Sequence, residues 1–405
     1  MNKNLPIDEK VRNFYETLKN KMNFFIRYNL FFKLIRANYK FYFPSQKKIL
    51  IFDYHGSNYI KKLLPTHDYD ILSVRHESFN VPIILKCLLN FKLSFRNYMK
   101  EYIYSVNPKI LITNIDTTIF FYQIKLNNGK KFLFQGGRRT ALPVDIFSNE
   151  NKKKILKKKI FVDFMFVHNE TIGKEYKKLI KGRVINLGSI QSNIHKIDKF
   201  KKKFDLMYIS TFRRPHYTDP NYQIFGMKYK YRDYIKREIL LLKWLKNFAD
   251  KNNRHLTILG VSRSGYKIEK IFYESLLGQN GWNFIKRTPK RKTYKLIDQS
   301  FIILGIDSTL VYEAIGRGLR VGVFSIRGDR YPINSRKFGW PGKFANKGFF
   351  WTNFALEKEF KRVLNNLINV SSKKWNRISS KYKNKIHCYN FQNTIAKNLI
   401  KSNLR

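Results

Sequence analysis

The residues best suited to chemistry lie in Ser300–Ser325, SFIILGIDSTLVYEAIGRGLRVGVFS. The turn Gly305-Ile306-Asp307-Ser308-Thr309 joins a strand-like run, Phe301–Leu304, to Val311, Ala314 and Ile315, which recur at helical spacing until Gly318. Val321–Phe324 is a second strand-like run, so the stretch reads as a βαβ unit. Small and hydroxyl residues thus occupy the point where a helix N-terminus leaves unpaired N–H groups and partial positive charge, and an anion, typically a phosphate, is the natural occupant. Glu313, one turn on, would reach the ribose hydroxyls of a molecule whose phosphate filled the turn. The plainer account makes Asp307 or Ser308 a helix cap on an ordinary crossover, with Glu313 solvated.

Other candidates surround this unit. Arg213 and Arg263 each follow a strand of the second half, and a guanidinium fork suits phosphate oxygens. Lys295 is a third cation that could join Ser308 and Thr309 there. In the first half His55, Glu77 and Asp116 each lie in a loop after a strand, where a carboxylate or imidazole could take a proton from an acceptor hydroxyl. Each would equally serve as a helix cap or buried hydrogen-bond partner. Arg138, in Gln135-Gly136-Gly137-Arg138-Arg139, could hold an anionic acceptor or a sugar carboxylate, or pair structurally. Asp68-Tyr69-Asp70 has the D-x-D form of a metal-binding signature but precedes its strand, where turn chemistry explains it better. With Cys87 and Cys388 the only cysteines, no disulfide framework or metal cluster is expected, and we expect no catalytic metal.

The elements that must position these groups repeat one pattern. Lys48–Asp53, Asp70–Val74, Lys109–Thr113, Lys131–Phe134, Phe161–Val167 and Arg183–Leu187 read as strands, with polar or glycine residues gathered after each carboxyl end, where open α/β sheets bind ligands. Ser192–Phe204 lacks apolar periodicity and marks a boundary. The pattern then restarts at Asp205–Ile209, Leu256–Leu259 and Trp282–Ile285. The expected fold is α/β, with two tandem Rossmann-like domains whose open parallel sheets face a central cleft. Residues 1–195 would form the first domain, with a helical extension over 1–45, and 204–370 the second, followed by a basic helical segment over 371–405. Met22–Phe43 alternates Phe, Tyr and Leu with Lys and Arg, as an interfacial helix or a helix packed on the first domain would. The glycine-punctuated aromatics Phe338, Trp340, Phe349, Phe350 and Trp351 would either stack on sugar rings or pack between domains.

The chain has 405 residues, enough for two domains, and 43% hydrophobic content supports a globular protein. Lys and Arg number 80 against 28 Asp and Glu, a formal charge of +52 that draws the protein toward anionic partners. Part of that charge reflects a composition rich in Asn, Ile, Phe and Tyr as well as Lys. No zinc-knuckle, RRM or helix-turn-helix signature accompanies it, so no specific nucleic-acid partner is expected, although a basic nucleic-acid-binding protein is the alternative of another class. No run approaches the roughly 20 apolar residues of a transmembrane helix, and the N-terminus lacks a secretory signal's apolar core. A cytoplasmic protein is expected, with peripheral contact to an anionic membrane.

The Tyr294–Asp298 helix, the strand, the Asp-Ser-Thr turn and the EAIGRG ending resemble the donor-nucleotide half of GT-B glycosyltransferases. The resemblance implies that the turn holds donor phosphates and Glu313 the ribose. More narrowly, Arg75-x-Glu77, Gln135–Arg138, LGSIQSN (Leu187–Asn193), DSTLVYEAIGRG (Asp307–Gly318) and FGWPGKFANKGFFWTN (Phe338–Asn353) together resemble a family of bacterial surface-carbohydrate biosynthesis proteins from O-antigen and capsule regions. It covers the chain from about Lys48 to Asn353. The implied activity is a metal-independent transfer from a nucleotide-sugar donor, held by the second domain, to a glycan or lipid-linked acceptor on the first, with no further cofactor. Because Arg75-x-Glu77 belongs to the resemblance, Glu77 ranks first as base, ahead of His55 and Asp116. A nucleotide-sugar epimerase or polyol-phosphate transferase of the same fold is the nearest alternative.

Overall fold

The computed structural model describes residues 35–405 except 93, 141–144, 157–159, 198–200, 225–226, 262–265, 288–292 and 328–333. Arg263 and most of the expected extension over 1–45, including the greater part of Met22–Phe43, lie outside the described residues. The first half contains β1 (Asn38–Lys40), β2 (Ile49–Phe52), β3 (Tyr69–Leu72), β4 (Ser78–Asn80), β5 (Ile110–Thr113), β6 (Lys130–Phe134), β7 (Phe161–Val167) and β8 (Lys181–Asn186). Six of these form a parallel sheet in the order β3-β2-β5-β6-β7-β8. Its central strands are predominantly apolar, as burial on both faces requires: all four residues of β2 and of β5 are buried. β1 and β4, too short to be expected from sequence, pair apart from the sheet.

The second half contains β9 (Phe204–Ile209), β10 (Asn221–Ile224), β11 (Met227–Lys230), β12 (Leu256–Leu259), β13 (Trp282–Ile285), β14 (Ser300–Gly305), β15 (Val321–Phe324), β16 (Lys347–Gly348) and β17 (Trp351–Thr352). The sheet runs β13-β12-β9-β14-β15-β17-β16, parallel except for β16 at its edge. Counting only the parallel strands, this is the 3-2-1-4-5-6 order of dinucleotide-binding sheets, and its order reverses between β9 and β14. In such sheets that switch point opens a crevice at the strands' carboxyl ends. The long helix Tyr231–Lys251 covers one face through Leu241, Leu242, Leu245 and Ala249.

The basic chain end is helical and packs on both domains. Trp375, on helix Ser372–Ile386, enters the second domain's core, whereas Ala396 and Ile400, on helix Thr394–Ser402, pack with Ile49, Ile51 and Ile110 of the first. The crossing near residue 387 lies against helix Thr309–Gly316 so closely that a Cβ on Gly316 would come within 2.8 Å of the His387 carbonyl. The other crossing is pinned by Arg317, which is buried between the rings of Tyr294 and Tyr389. It pairs with Asp298 at 3.0 Å and donates to the carbonyls of Ser192, His195 and Lys196 at 3.2, 2.9 and 3.1 Å. The aromatic loop divides in favour of packing: Phe338, Phe350 and Trp351 are buried, Phe338 stacks on Trp351 at 4.5 Å, and Trp340 meets Phe147 of the first domain edge-on.

Candidate active-site cleft

The crevice predicted by the second sheet's strand order is occupied by a cleft of about 850 Å³, a size suited to a small-molecule ligand. The loop after β9 supplies Thr211, Phe212 and Arg213, and the turn after β14 supplies Asp307, Ser308 and Thr309. Across from them stand first-domain residues that include Lys62, Arg138, Ser189 and His195. Gly136 lets its loop pack on the neighbouring loop of the first domain, because a Cβ there would sit 2.7 Å from the Asn114 carbonyl.

No side-chain capping bond forms at this helix start. Ser308 is the N-cap of helix Thr309–Gly316 without a side-chain bond to it. Asp307 turns instead to two guanidiniums, Arg327 at 2.9 Å and Arg336 at 2.7 Å. Burial alone would raise its carboxyl, but Arg327 and Arg336, with Arg138 and Arg213 farther off, hold it well below the usual carboxylate range. An ionised carboxylate repels phosphate, and in the cleft lining Asp307 pairs with Arg336.

Behind the wall Arg327 bridges Asp307 to Glu238, donating through Nε at 3.1 Å and through Nη2, and donates to Thr211 at 2.5 Å. Glu238 also accepts from Tyr208 at 2.9 Å and Thr211 at 3.1 Å, with His216 Nε2 at 3.8 Å. Burial is again opposed, here by Arg327 and His216, and the Glu238 carboxyl is pulled down to about 2. His216 Nδ1 accepts the Arg213 N–H at 3.0 Å, so the lattice connects both sides of the switch point. Arg327, Glu238 and Arg336 escaped sequence reasoning, since a helix residue and two loop arginines among 80 basic residues carry no local signal.

Glu313 lines the cleft and is buried, accepting from Tyr294 Oη at 3.0 Å and from Ser189. Burial pushes its pKa up, and the bonds from Ser189 and Tyr294 oppose the rise. Arg213, Ser308 and Thr309 line the cleft with it, and so does Arg287, which follows β13. Lys295 does not: it is exposed on its helix, and Tyr294 faces the cleft in its place. Arg138 is in the wall but clasps the second domain, with its N–H on Thr309 Oγ1 at 3.3 Å, Nη2 on the Ser335 and Lys337 carbonyls at 3.2 and 3.3 Å, and its guanidinium over the Tyr312 ring.

The three expected bases are not in the cleft lining. Asp116 is buried in the first domain, where it accepts from Tyr176 and pairs with Arg139 at 3.3 Å. Glu77 accepts the Arg75 N–H at 3.0 Å, while the Arg75 guanidinium pairs with Asp53 at 2.9 Å. The physical reason lies in the topology: the chain leaves β3, an edge strand, to pair β4 with β1, and Glu77 goes with it. His55 is exposed in its turn, its N–H on Asp53 Oδ1 at 2.9 Å. Asp68 and Asp70 are likewise remote, pairing with Lys47 at 3.5 Å and Lys40 at 3.8 Å. Among the described residues no group of three or more His, Cys, Asp or Glu could hold a metal.

Two Rossmann-like domains with a cation-lined cleft at the switch point define a GT-B-like architecture. Solved structures agree: the wall teichoic acid polymerase TagF, H444N variant with CDPG after a 15 minute soak, aligns over 98% of this chain and 98% of its own at 12% identity and TM-score 0.51. The S. aureus MnaA-UDP structure aligns over 89% of this chain and 97% of its own at 14% identity and TM-score 0.51. No curated protein matches the sequence. The chain belongs to the family described as "putative O-antigen biosynthesis protein", which matches residues 132–404.

Proposed function

We propose that the protein is a GT-B-type glycosyltransferase of surface-polysaccharide biosynthesis. A nucleotide-activated sugar is held by the second domain and transferred to a glycan or lipid-linked acceptor on the first. The observation that carries this reading is the convergence, at the second sheet's switch point, of the Ser308–Thr309 helix start, Glu313 and the cleft arginines 213, 287 and 336. Diphosphate oxygens would lie against the helix start and the guanidiniums, and Glu313 would take the ribose. The similar MnaA structure holds UDP and the TagF structure was soaked with CDPG, which supports a nucleotide in this fold's cleft.

Charge that develops on the leaving diphosphate falls beside cations already fixed by Asp307 and the lattice behind it, the arrangement in which preorganised charge lowers a barrier. Transfer is therefore expected to survive EDTA; loss restored by manganese or magnesium would overturn this part. For the base we propose His195, the histidine among the cleft-lining residues, whose ring stacks on Tyr294 at 4.8 Å and whose carbonyl is held by Arg317 and Tyr389. His195→Asn should lower turnover while leaving donor affinity in place. The protein would act at the cytoplasmic face of the membrane as a peripheral protein.

Thermal-shift titration with UDP, GDP, CMP and ADP sugars tests the donor site. A ligand present at about a hundred times its Kd stabilises the native state by roughly 2.7 kcal/mol. One nucleotide class should raise the melting temperature and the others should not. If none does, the proposal fails. Product analysis with the selected donor then separates transfer from epimerisation and from polyol-phosphate transfer.

A further inference from the structure

The first domain carries an apolar face that its own fold leaves uncovered. Helix Val81–Leu89, VPIILKCLL, has one charged residue in nine and buries Ile83 and Cys87 inward. On the opposite side Leu85, Leu88 and Leu89, at helical spacing, are exposed, and the face continues into Phe91, which is 97% exposed. The segment Phe41-Tyr42-Phe43 is exposed as well, and Asn80, the N-cap of this helix, holds it alongside by donating to the Tyr42 carbonyl at 2.8 Å. A helix on a water-facing surface ordinarily shows polar residues outward; one that is apolar nearly all round is meant to be covered.

The surrounding charge identifies the cover. Residues 35–48 and 81–100 contain eight Lys and Arg and no Asp or Glu. Lys40, Lys92, Arg96 and Lys100 are interleaved with the apolar residues in sequence, and of the eight cations Lys86 pairs with Glu101 at 3.0 Å, Lys47 with Asp68 at 3.5 Å and Lys40 lies 3.8 Å from Asp70. A protein partner would need an acidic rim around an apolar hollow. A bilayer with anionic headgroups supplies both parts over its whole surface: acyl chains take the Leu and Phe side chains while Lys and Arg stay at headgroup level.

We infer that the face formed by Phe41–Phe43, Leu85, Leu88, Leu89 and Phe91 docks the first domain on an anionic lipid surface. It rests on the proposed peripheral placement, not on the transfer reaction, and would set the acceptor side of the cleft at the bilayer that carries a lipid-linked acceptor. Among the described residues no helix is long and apolar enough to cross a membrane.

The test needs no donor, so its failure is separable from failure of the transferase reading. The full chain is sedimented with phosphatidylcholine vesicles, with and without phosphatidylglycerol. It should bind the anionic vesicles and lose most of that binding in high salt. The double variant Leu89→Ser/Phe91→Ser keeps every charge and alters two exposed side chains, so it should fold as wild type and bind at least about tenfold more weakly, because apolar area is what it loses. Wild-type protein that ignores anionic vesicles, or a double variant that binds as well as wild type, overturns the proposal, the latter result leaving only charge. With Phe91→benzoylphenylalanine, irradiation on vesicles should yield a lipid adduct. An adduct to a second copy, or to residues 1–34 of the same chain, assigns the face to that occupant and overturns it.

Discussion

The two walls of the cleft are built differently. On the second-domain side two buried carboxylates, Asp307 and Glu238, enclose Arg327 and through it fix Arg336 and the Arg213 loop, so the cations in the wall are anchored from behind. On the first-domain side the strong ion pairs point inward: Asp116 and Asp145 enclose Arg139, and Asp53 holds Arg75, with none of these lining the cleft. That wall offers Lys62, Arg138, Ser189, Gln191 and His195. The difference teaches where recognition is rigid. A diphosphate has fixed charge and shape and rewards a preorganised lattice, whereas an acceptor hydroxyl needs approach and one proton acceptor.

Breaking the second-domain lattice should have the largest effect. Arg327→Met leaves Asp307 and Glu238 buried without their shared cation, and the loss of one partner from such a group costs about 3–5 kcal/mol. Urea denaturation should show that loss, with donor binding weakened in whatever protein stays folded. A stable variant with wild-type donor affinity would show that the wall needs no anchoring.

The seam between the two halves should be the acid-labile place. Burial pushes His387 down to about 4. Burial, with His387 and Arg139 beside it, pushes His168 well below its ordinary value. Both rings are therefore held neutral when folded and protonate more readily when unfolded, so their contribution is complete above the unfolded value near 6.5 and is lost as pH falls toward 4. For His387 alone that amounts to about 3 kcal/mol at pH 4. Denaturation midpoints at pH 7, 6, 5 and 4 should fall accordingly, and less steeply in His387→Gln. An equal fall in that variant would place the sensitivity elsewhere.

A smaller change sharpens the contrast at the donor wall. Glu313→Gln keeps an acceptor for Tyr294 and Ser189, so the fold should hold. Loss of a charge-assisted bond to ribose should weaken donor binding by about tenfold, the equivalent of roughly 1.4 kcal/mol. Calorimetric titration showing equal affinity for every nucleotide would remove Glu313 from the donor site. The smallest effect is expected for Glu77→Gln. Away from the cleft and partly exposed, it should change stability by no more than about 0.5 kcal/mol and turnover hardly at all. A large fall in turnover with unchanged stability would return Glu77 to the chemistry.

What could be read along the chain was whatever depends on neighbours in sequence. The apolar runs of β2, β5, β9 and β14 and the turn Gly305–Thr309 each show themselves within a few residues, because strand burial and turn chemistry are local properties. So the two Rossmann-like sheets, and Ser308, Thr309, Glu313, Arg213 and Arg138 as cleft residues, were legible. β1 and β4 were not, since strands of three residues carry too little pattern, nor was the return of helix Thr394–Ser402 to the first domain, which depends on a surface left bare some 300 residues earlier. Which charges face the cleft was decided only in three dimensions. Asp116, Glu77 and His55 follow strands as the cleft residues do, yet one is caught by Arg139 and Tyr176, another is carried off with the β3 edge, and the third faces solvent. Arg327 and Glu238 lie 89 positions apart and meet because the sheet brings the loop after β15 over the helix after β11. An ion pair depends on distance through space, and sequence records only distance along the chain.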